Sequence, residues 1–328
     1  MLMAVTGASG FVGLNLVQLL LDQGHQVRAI DRLQSPYLQR PGVCWMDGDV
    51  LNADSMKRAL EGVDQVFHLV AKITLAEEDE FAWTLNTKGV RNVAEAALAN
   101  GVKRMIHCSS IAAFDQFRCG GRMDETSPRS TDPKLPVYDR SKFAGEQELR
   151  EVIAKGLDGV ICNPTGVYGP VDHSYSRIND VLRKAALGQI PFVFTGAFDW
   201  VDVRDVAKGF ILAGEHGRTG ENYLIGGHHI PTLEIMRMAA RVLGRKGPAF
   251  ALPIGVVKLC MPLIERLSKG SGSDALSKRS IDAIECAPVV DASKAARELH
   301  YVPRPADDTV RELMAFLVSS NQMARARS

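Results

Sequence analysis

The chain has 328 residues, with 39 basic and 38 acidic side chains and a formal net charge of +1. This length predicts one large domain with a smaller appended lobe rather than one compact core. The near-neutral charge argues against nucleic acid or an anionic surface as a partner, so a small-molecule substrate is expected.

The cysteines and the hydropathy indicate a cytoplasmic protein with free thiols. No C-x-x-C pair and no secretory leader are present, which is typical of a reducing compartment. No uncharged run reaches the roughly 18 residues of a transmembrane span. The apolar stretch 249–267 contains two prolines, which predicts core of the second lobe, with peripheral contact to a membrane or partner as the alternative. The six cysteines are Cys44, Cys108, Cys119, Cys162, Cys260 and Cys286.

Strand and helix patterns alternate through the first half of the chain. MLMAVT, FVGLNLVQLLLDQG and HQVRAID predict strand, helix and strand, and VDQVFHLVA, FAWTLNTKGVRNVAEAALANG and VKRMIHCSS repeat the order. Gly24 and Gly101 stand where two of the helices should stop. Apolar strands joined by crossover helices predict a parallel sheet with helices on both faces.

Later elements are less regular. Residues 118–136 are rich in glycine, proline and charge, and predict a long loop. A helix is expected to begin near Val137, and the strand LDGVICN leads into PTGVYGP, which reads as a turn. Residues 269–274, KGSGSD, carry a further loop signal.

Three glycines lie between the first strand and the first helix, at Gly7, Gly10 and Gly13. A helix N-terminus presents unpaired N–H groups to a pyrophosphate, and glycines leave room for its approach. The spacing therefore predicts a dinucleotide-phosphate loop, with a plain turn as the alternative.

The second strand ends in Asp31, 18 residues after Gly13. A carboxylate there can bond the adenosine ribose diol and repel a 2'-phosphate, which favours NAD. Arg32 follows directly and could hold that phosphate, so NADP stays possible. Asp49 could bond the adenine amine while Val50 packs on the ring, although a turn or helix-cap aspartate explains Asp49 equally well.

Tyr138 and Lys142 lie four residues apart at the start of a helix, in VYDRSK. This spacing places both on one face, where the ammonium should favour the phenolate and lower the tyrosine pKa from about 10. Such a pair is common on ordinary helices, so its meaning depends on the glycine loop before it.

The ordered motifs TGASGFVG, HLVAK, HCSS, YDRSK and NPTGVYGP resemble the extended short-chain dehydrogenase/reductase superfamily, the NAD-dependent epimerase/dehydratase family. The resemblance implies an α/β Rossmann-type doubly wound parallel sheet with a smaller, mostly C-terminal α+β substrate lobe. It divides the chain into a dinucleotide domain of residues 1–163 with 199–226 and a lobe of residues 164–198 with 227–328.

Carried over by position, the resemblance implies roles for individual residues. Ser110 would orient a substrate carbonyl, with Ser109 as the alternative, Tyr138 would move the proton, and Lys142 would hold the nicotinamide ribose. Asn86 would support the catalytic strand, and Lys72 is a departure in charge. The implied cofactor-binding residues are Gly7, Ser9, Gly10, Phe11, Val12, Gly13, Asp31, Arg32, Asp49, Val50, Leu69, Val70, Ala71, Lys72, Ser109, Tyr138, Lys142, Asn163, Pro164 and Val167.

Phe198 distinguishes two branches of this superfamily. Sugar-nucleotide epimerases and dehydratases usually carry an arginine at this position to hold the diphosphate, which a phenyl ring cannot do. The chain resembles more closely the branch of dihydroflavonol reductases and 3β-hydroxysteroid dehydrogenases, which implies a hydrophobic ketone or secondary alcohol. Arg204 is expected to support the fold. The implied apolar pocket residues are Ile111, Phe114, Phe198 and Trp200.

Two other functions stay open. The chain could be a sugar-nucleotide epimerase or dehydratase, or a catalytically silent nucleotide-sensing regulator, although intact Ser110, Tyr138 and Lys142 argue against the regulator. No metal is required, and the pair His228 and His229 in the turn-like GGHHIP lacks companion ligands. A homodimer is common in this superfamily and is possible here.

Overall fold

The computed structural model describes residues 1–255 and 287–323. Its strands are β1 (Leu2–Thr6), β2 (Gln26–Asp31), β3 (Val43–Asp47), β4 (Gln65–His68), β5 (Arg104–Cys108), β6 (Arg122–Met123), β7 (Gly159–Pro164), β8 (Gly166–Tyr168), β9 (Phe192–Phe194), β10 (Ala197–Asp202), β11 (Asn222–Ile225), β12 (His228–Pro231), β13 (Phe250–Leu252) and β14 (Val289–Val290). Its α-helices are α1 (Phe11–Asp22), α2 (Ala53–Ala59), α3 (Glu80–Ala99), α4 (Val137–Ile153), α5 (Arg177–Ala186), α6 (Val203–His216), α7 (Thr232–Val242), α8 (Ser293–Leu299) and α9 (Ala306–Ser319), and Ile111–Ala113 form a 3-10 helix.

A parallel seven-stranded sheet lies at the centre, in the order β11-β7-β5-β4-β1-β2-β3. Helices α1 and α6 pack one face through residues such as Leu16 and Phe210, and α3 and α4 pack the other through Val93 and Leu149. The strand order reverses between β1 and β4, and ligands of such sheets bind at that point, beyond the carboxyl ends of the strands. The predicted doubly wound α/β fold is confirmed.

The helix ends follow from local chemistry. The Asp79 carboxylate accepts the Ala82 N–H at 2.9 Å and begins α3. Gly24 and Gly101 adopt φ of +81° and +66° just after α1 and α3, a left-handed conformation that glycine enters without steric cost. Both predicted helix stops are confirmed.

A second unit is built on the three-stranded sheet β12-β10-β8, with α5, α7 and α9 around it. Tyr168, Trp200 and Leu313 are buried together in its core. Because Trp200 to Asp202 pair with β8, and Ala197 to Trp200 pair with β12, the predicted domain boundary at 199 falls inside β10. The strand belongs as a whole to this smaller sheet.

Three short strands correct the sequence predictions. The predicted turn PTGVYGP contains β8, the turn-like GGHHIP contains β12, and the predicted loop 118–136 contains β6, which pairs with the distant β14. Segments of two to four residues carry too little periodicity to be recognised, since their pairing depends on partners far along the chain. Most of the apolar stretch 249–267, and the loop signal at 269–274, lie outside the described residues.

Four cysteines of the described chain, Cys44, Cys108, Cys119 and Cys162, are free thiols, and Cys260 and Cys286 lie outside it. Within residues 1–255 and 287–323, no helix has both the length and the apolar composition for a bilayer span. The same residues contain no cluster of three or more histidine, cysteine, aspartate or glutamate side chains arranged for a metal ion.

Candidate active site

The glycine loop joins β1 to α1 in a conformation that requires its glycines. Gly7 has φ of +73° and donates its N–H to Ile30 O at 3.0 Å. A Cβ at Gly13 would lie 2.2 Å from Gly7 O, so only glycine lets α1 approach this closely. Gly10 is the N-cap and provides no side-chain acceptor, which leaves the first amides of α1 available to an anion.

A cleft of about 290 Å3 opens beside this loop. It brings together the residues that follow β1, β2, β3 and β4, as predicted for a dinucleotide site. Five of its residues were not predicted from the sequence: Ile30, Gly48, Leu51, Phe81 and Leu85. The predicted residues that line it are Gly7, Gly10, Asp31, Arg32, Asp49, Val50, Leu69, Val70 and Ala71.

Asp31 is held in place by the loop that it faces. Its Oδ2 accepts the Ser9 N–H at 3.0 Å, and its Oδ1 accepts the Arg32 N–H at 2.8 Å. Each carboxylate oxygen keeps a lone pair for a ribose hydroxyl. The Arg32 residue is exposed at the rim.

Asp49 has the turn role considered for it and also lies where the predicted bond to adenine would form. Its Oδ1 accepts the Leu51 N–H at 2.9 Å in a turn, and the residue also lines the cleft. Val50 is 4% exposed and packs between β3 and α3, so little of its surface is available to an adenine ring.

The Lys72 ammonium pairs with Asp79, the residue that caps the N-terminus of α3. Its Nζ lies 2.8 Å from Asp79 Oδ2 and 5.2 Å from the centre of the Phe81 ring. Asn86 accepts the Lys72 N–H at 2.9 Å and donates to the Lys72 carbonyl at 3.1 Å. The unusual charge is therefore neutralised by Asp79, and Asn86 holds the segment after β4 rather than the catalytic strand β5.

Ser110, Tyr138 and Lys142 lie together at the carboxyl end of β5. Tyr138 stands in the first turn of α4, and the Ser110 side chain is near enough to lower the pKa of its phenol. Ser110 Oγ also accepts the Ala112 N–H at 3.1 Å. Lys142 is 2% exposed and donates its Nζ to Cys108 O at 2.7 Å.

The electrostatics of Tyr138 differ from the sequence prediction. Burial raises the tyrosine pKa above its ordinary value, and the nearby Ser110 side chain offsets this in part. Burial also lowers the pKa of Lys142, whose ammonium bonds the Cys108 carbonyl rather than the phenol. The phenol therefore holds its proton, and the predicted lowering of the tyrosine pKa by Lys142 is wrong.

The structure distinguishes the two serines. Ser109 is 3% exposed and donates its Oγ to Glu146 Oε1 at 2.5 Å, away from Tyr138. Successive residues of an extended chain point to opposite sides, so only Ser110 reaches the phenol. The implied cofactor contact of the Ser109 side chain is not supported.

Asn163 lies behind the site rather than along it. Its side chain is fully buried and donates to Ser110 O at 2.9 Å and to Glu146 Oε1 at 2.8 Å. Pro164 beside it is also buried, whereas Val167 is half-buried. In the glycine loop, Phe11 and Val12 are half-buried, and Val12 packs on the core under the sheet.

Two of the four predicted substrate residues belong to the core. Phe114 is 1% exposed, with the Arg129 guanidinium 3.8 Å from its ring centre, and Trp200 is 6% exposed. Neither has the free surface that a pocket wall needs, because each is enclosed by its own packing partners. Phe198 and Ile111 are half-buried and keep some exposed surface. Arg204 pairs with Asp202 at 2.6 Å, which supports the fold as predicted.

Sequence reasoning missed two acidic residues on α4. Burial, and after it the charge of the nearby Asp115, raise the pKa of Asp139 to about 7. Glu146 is fully buried and bonds Ser109 and Asn163. The spacing Tyr138, Lys142, Glu146 repeats every four residues, so helical periodicity could have placed Glu146 on the catalytic face.

The model of the NAD dependent epimerase/dehydratase family matches residues 3–226, which include the cleft and the Ser110, Tyr138 and Lys142 group. The chain belongs to this family. As a member of the NAD-dependent epimerase/dehydratase family it is an enzyme, and the family confirms the predicted nicotinamide dinucleotide cofactor, NAD.

Three relatives of this family member are named for enzymes that act on dihydroflavonols, sterols or steroids. A Synechocystis protein provisionally named dihydroflavonol 4-reductase is 31% identical over 303 residues, covering 90% of this chain and 88% of its own. Sterol demethylase protein B of Methylococcus capsulatus is 31% identical, covering 91% and 93%. The 3 beta-hydroxysteroid dehydrogenase/Delta 5-->4-isomerase of Mycobacterium tuberculosis is 30% identical, covering 91% and 85%. The predicted resemblance to dihydroflavonol reductases and 3β-hydroxysteroid dehydrogenases is confirmed.

Solved structures share the whole fold with this family member. The crystal structure of gox2253 is 33% identical, covers 98% of this chain and 99% of its own, and superposes with a TM-score of 0.86. UDP-glucose 4-epimerase from Thermotoga maritima, solved with UDP-glucose, is 21% identical, covers 98% and 100%, and gives 0.77. At that lower identity the likeness concerns the fold alone.

Proposed function

We propose that this family member transfers hydride between NAD(H) and a hydrophobic ketone or secondary alcohol, with Tyr138 as the proton donor or acceptor. NADP(H) stays possible as the cofactor. The observation that carries this proposal is the grouping of Ser110, Tyr138 and the buried Lys142 at the sheet edge that also carries the glycine loop.

The residues of the cleft fit a dinucleotide. The uncapped start of α1 suits a pyrophosphate, and Asp31 suits a ribose diol. Val70 and Ala71 offer a half-buried apolar surface beside them. A bound nicotinamide dinucleotide supplies the hydride, which the protein side chains cannot provide.

The side chains of the site suit the proton half of the reaction. In ketone reduction, the Ser110 hydroxyl donates a hydrogen bond to the substrate oxygen, and the Tyr138 phenol gives that oxygen its proton as the hydride reaches the carbon. Lys142 has two N–H donors beyond the one bound to Cys108 O, and these can hold ribose hydroxyls. Alcohol oxidation uses the same groups in reverse.

Phe198 supports a hydrophobic substrate rather than a sugar nucleotide. It lies on β10 with its ring edge-on to Trp200, at 6.0 Å between ring centres, and it packs on the apolar core of the smaller unit. A phenyl ring there offers no charge to a diphosphate. Relatives named for dihydroflavonol and steroid substrates agree with this assignment.

Turnover assays test this function directly. The purified protein is incubated with NADH or NADPH and a panel of flavanone-type and steroid ketones, and absorbance at 340 nm reports oxidation of the cofactor. We expect turnover by the wild-type protein and a loss of about 10³-fold or more in kcat for Tyr138→Phe, because the proton donor is removed. The Kd for NADH should change less than about two-fold, since the phenyl ring is retained.

A matched control is Tyr37→Phe, at an exposed tyrosine that contacts His173. It should keep wild-type kcat. Turnover of UDP-sugars in place of the ketones would favour the epimerase function. NADH binding without turnover of either panel would favour a nucleotide-sensing regulator.

A further inference from the structure

Glu146 lies on the catalytic face of α4 and is fully buried although it is acidic. It follows Lys142 by four residues, as Lys142 follows Tyr138, so the three side chains form one row along the helix. A buried carboxylate is stable only when its oxygens are paired or hydrogen-bonded.

Each carboxylate oxygen of Glu146 accepts two hydrogen bonds. Oε1 accepts Ser109 Oγ–H at 2.5 Å and Asn163 Nδ2–H at 2.8 Å. Oε2 accepts Asn222 Nδ2–H at 3.0 Å and a guanidinium N–H of Arg129. The donors come from the carboxyl end of β5, from β7, from β11 and from the loop before α4, so Glu146 joins four parts of the fold at one point.

Two of these donors lead directly to Ser110. The Asn163 amide group that binds Glu146 also donates to the Ser110 carbonyl at 2.9 Å. Ser109 is the adjacent residue, and its bond to Glu146 fixes the peptide before Ser110. The backbone of Ser110 is therefore held on both sides by groups that bind Glu146.

We propose that Glu146 is a positioning residue: its carboxylate fixes Ser109 and Asn163, and through them the backbone of Ser110, so that the Ser110 hydroxyl is held for the substrate oxygen beside Tyr138. This role rests on the proposed function, because it concerns the same proton transfer.

The arrangement requires a carboxylate and not merely a polar side chain. All four partners are donors, and an amide offers one acceptor oxygen and one NH2 donor. Glu146→Gln would therefore set its NH2 group against two donors, although the side chain keeps nearly the same shape. In one orientation the NH2 group faces Ser109 and Asn163, and in the other it faces Asn222 and Arg129. Asn222 also donates to Asn163 at 2.8 Å, so a change at Asn222 reaches Asn163. Either orientation disturbs Asn163.

Kinetics of single and double variants test the role. For Glu146→Gln we expect kcat for ketone reduction to fall by about ten-fold, with the Kd for NADH within about two-fold of wild type, since Glu146 does not line the nucleotide cleft. Ser110→Ala alone should lose about 10²-fold in kcat. The double variant should be no slower than Ser110→Ala, because Glu146 acts through the hydroxyl that is already absent.

Glu148→Gln is the matched control, on the same helix but paired with Arg91 away from the site. It should keep wild-type kcat. If Glu146→Gln does not fold, Ser109→Ala replaces it: a loss of several-fold alone, and no further loss in the Ser110→Ala background, support the same role.

Additive losses in the double variant, or unchanged kcat in a folded Glu146→Gln protein, would overturn the role of Glu146 and leave the proposed function intact. Absence of wild-type turnover overturns the proposed function and removes with it the reaction that Glu146 would serve.

Discussion

The Asp31 carboxylate has an observed contact with the glycine loop and a predicted contact with the cofactor. It closes the glycine loop by accepting the Ser9 N–H, and the sequence predicts that it also reads the cofactor ribose. A carboxylate fixed by 2.8 and 3.0 Å bonds is pre-organised for a ribose diol. It also presents a negative charge to a 2'-phosphate, while the exposed Arg32 at the rim presents a positive one.

Removing the carboxylate should change the cofactor preference. For Asp31→Ala we expect the ratio of kcat/KM for NADH to that for NADPH to fall by about ten-fold or more, since about 1.4 kcal/mol of discrimination corresponds to a factor of ten. Steady-state kinetics with both cofactors measure this ratio. Adding Arg32→Ala should reverse part of the gain for NADPH. An unchanged ratio in Asp31→Ala would mean that Asp31 only holds the loop.

Among the helices and strands, the sequence predicts those that are long enough to show a repeated apolar pattern. The helices α1, α3 and α4, with the strands of the central sheet, were predictable because each buries a repeated apolar face. The short strands β6, β8 and β12 were not, since their pairing depends on partners outside their own segments. The predicted pocket positions of Phe114 and Trp200 failed for a related reason. An aromatic residue in a sequence motif does not reveal whether its ring faces a cleft or the core, and here both rings are buried.

The adjacent strands β4 and β5 carry a buried histidine pair just below the candidate site. His68 and His107 stand opposite each other in the parallel register, and their rings stack with centres 5.4 Å apart. His68 Nδ1 lies 2.7 Å from Thr6 Oγ1. Burial, and then the charge of Lys142, lower the pKa of His68 to about 3, and the same two causes lower the pKa of His107 well below its ordinary value.

These strands should make the protein acid-sensitive. Each histidine is neutral when folded but takes up a proton near pH 6.5 when unfolded, so its stabilising contribution is present above pH 6.5 and is lost as the pH falls below it, for His68 down to about 3. At pH 5.5 the loss is about 1.4 kcal/mol per histidine. Urea unfolding from pH 7.5 to 5 should therefore show a smaller loss of free energy of unfolding for His107→Leu than for wild type.

The control for this comparison is His229→Gln, at an exposed histidine on β12. Its unfolding free energy should follow that of wild type across the same range. Carboxylates that titrate contribute equally to wild type and variant, so they cancel in the difference. Parallel curves for His107→Leu and wild type would show that His107 takes up its proton in the folded protein.

For the molecule as a whole, the sequence predicts the fold and the cofactor class, whereas the substrate is expected to depend on the smaller unit. The same fold occurs in a UDP-glucose 4-epimerase and in relatives named for flavonoid and steroid substrates, so architecture alone does not select among them. The predicted cytoplasmic location and the possible homodimer stay predictions. The proposed hydrophobic substrate rests on Phe198, because the resemblance places at this position the arginine that holds a sugar-nucleotide diphosphate.

Thermal shifts with uridine diphosphate test the molecule as a whole. A ligand at ten times its Kd adds about 1.4 kcal/mol of stability. For a protein of this size that raises the Tm by roughly 2 °C. We expect NAD at a millimolar concentration to give such a shift and uridine diphosphate to give less than about 0.5 °C, because a phenyl ring at 198 cannot pair with the diphosphate.

Phe198→Arg provides the matched variant: if residue 198 occupies the diphosphate position, the arginine should create a shift with uridine diphosphate that the wild type lacks. A shift of about 2 °C from uridine diphosphate in wild-type protein already saturated with NAD would instead return the sugar-nucleotide epimerase to first place, since the start of α1 is then occupied and the diphosphate must bind elsewhere.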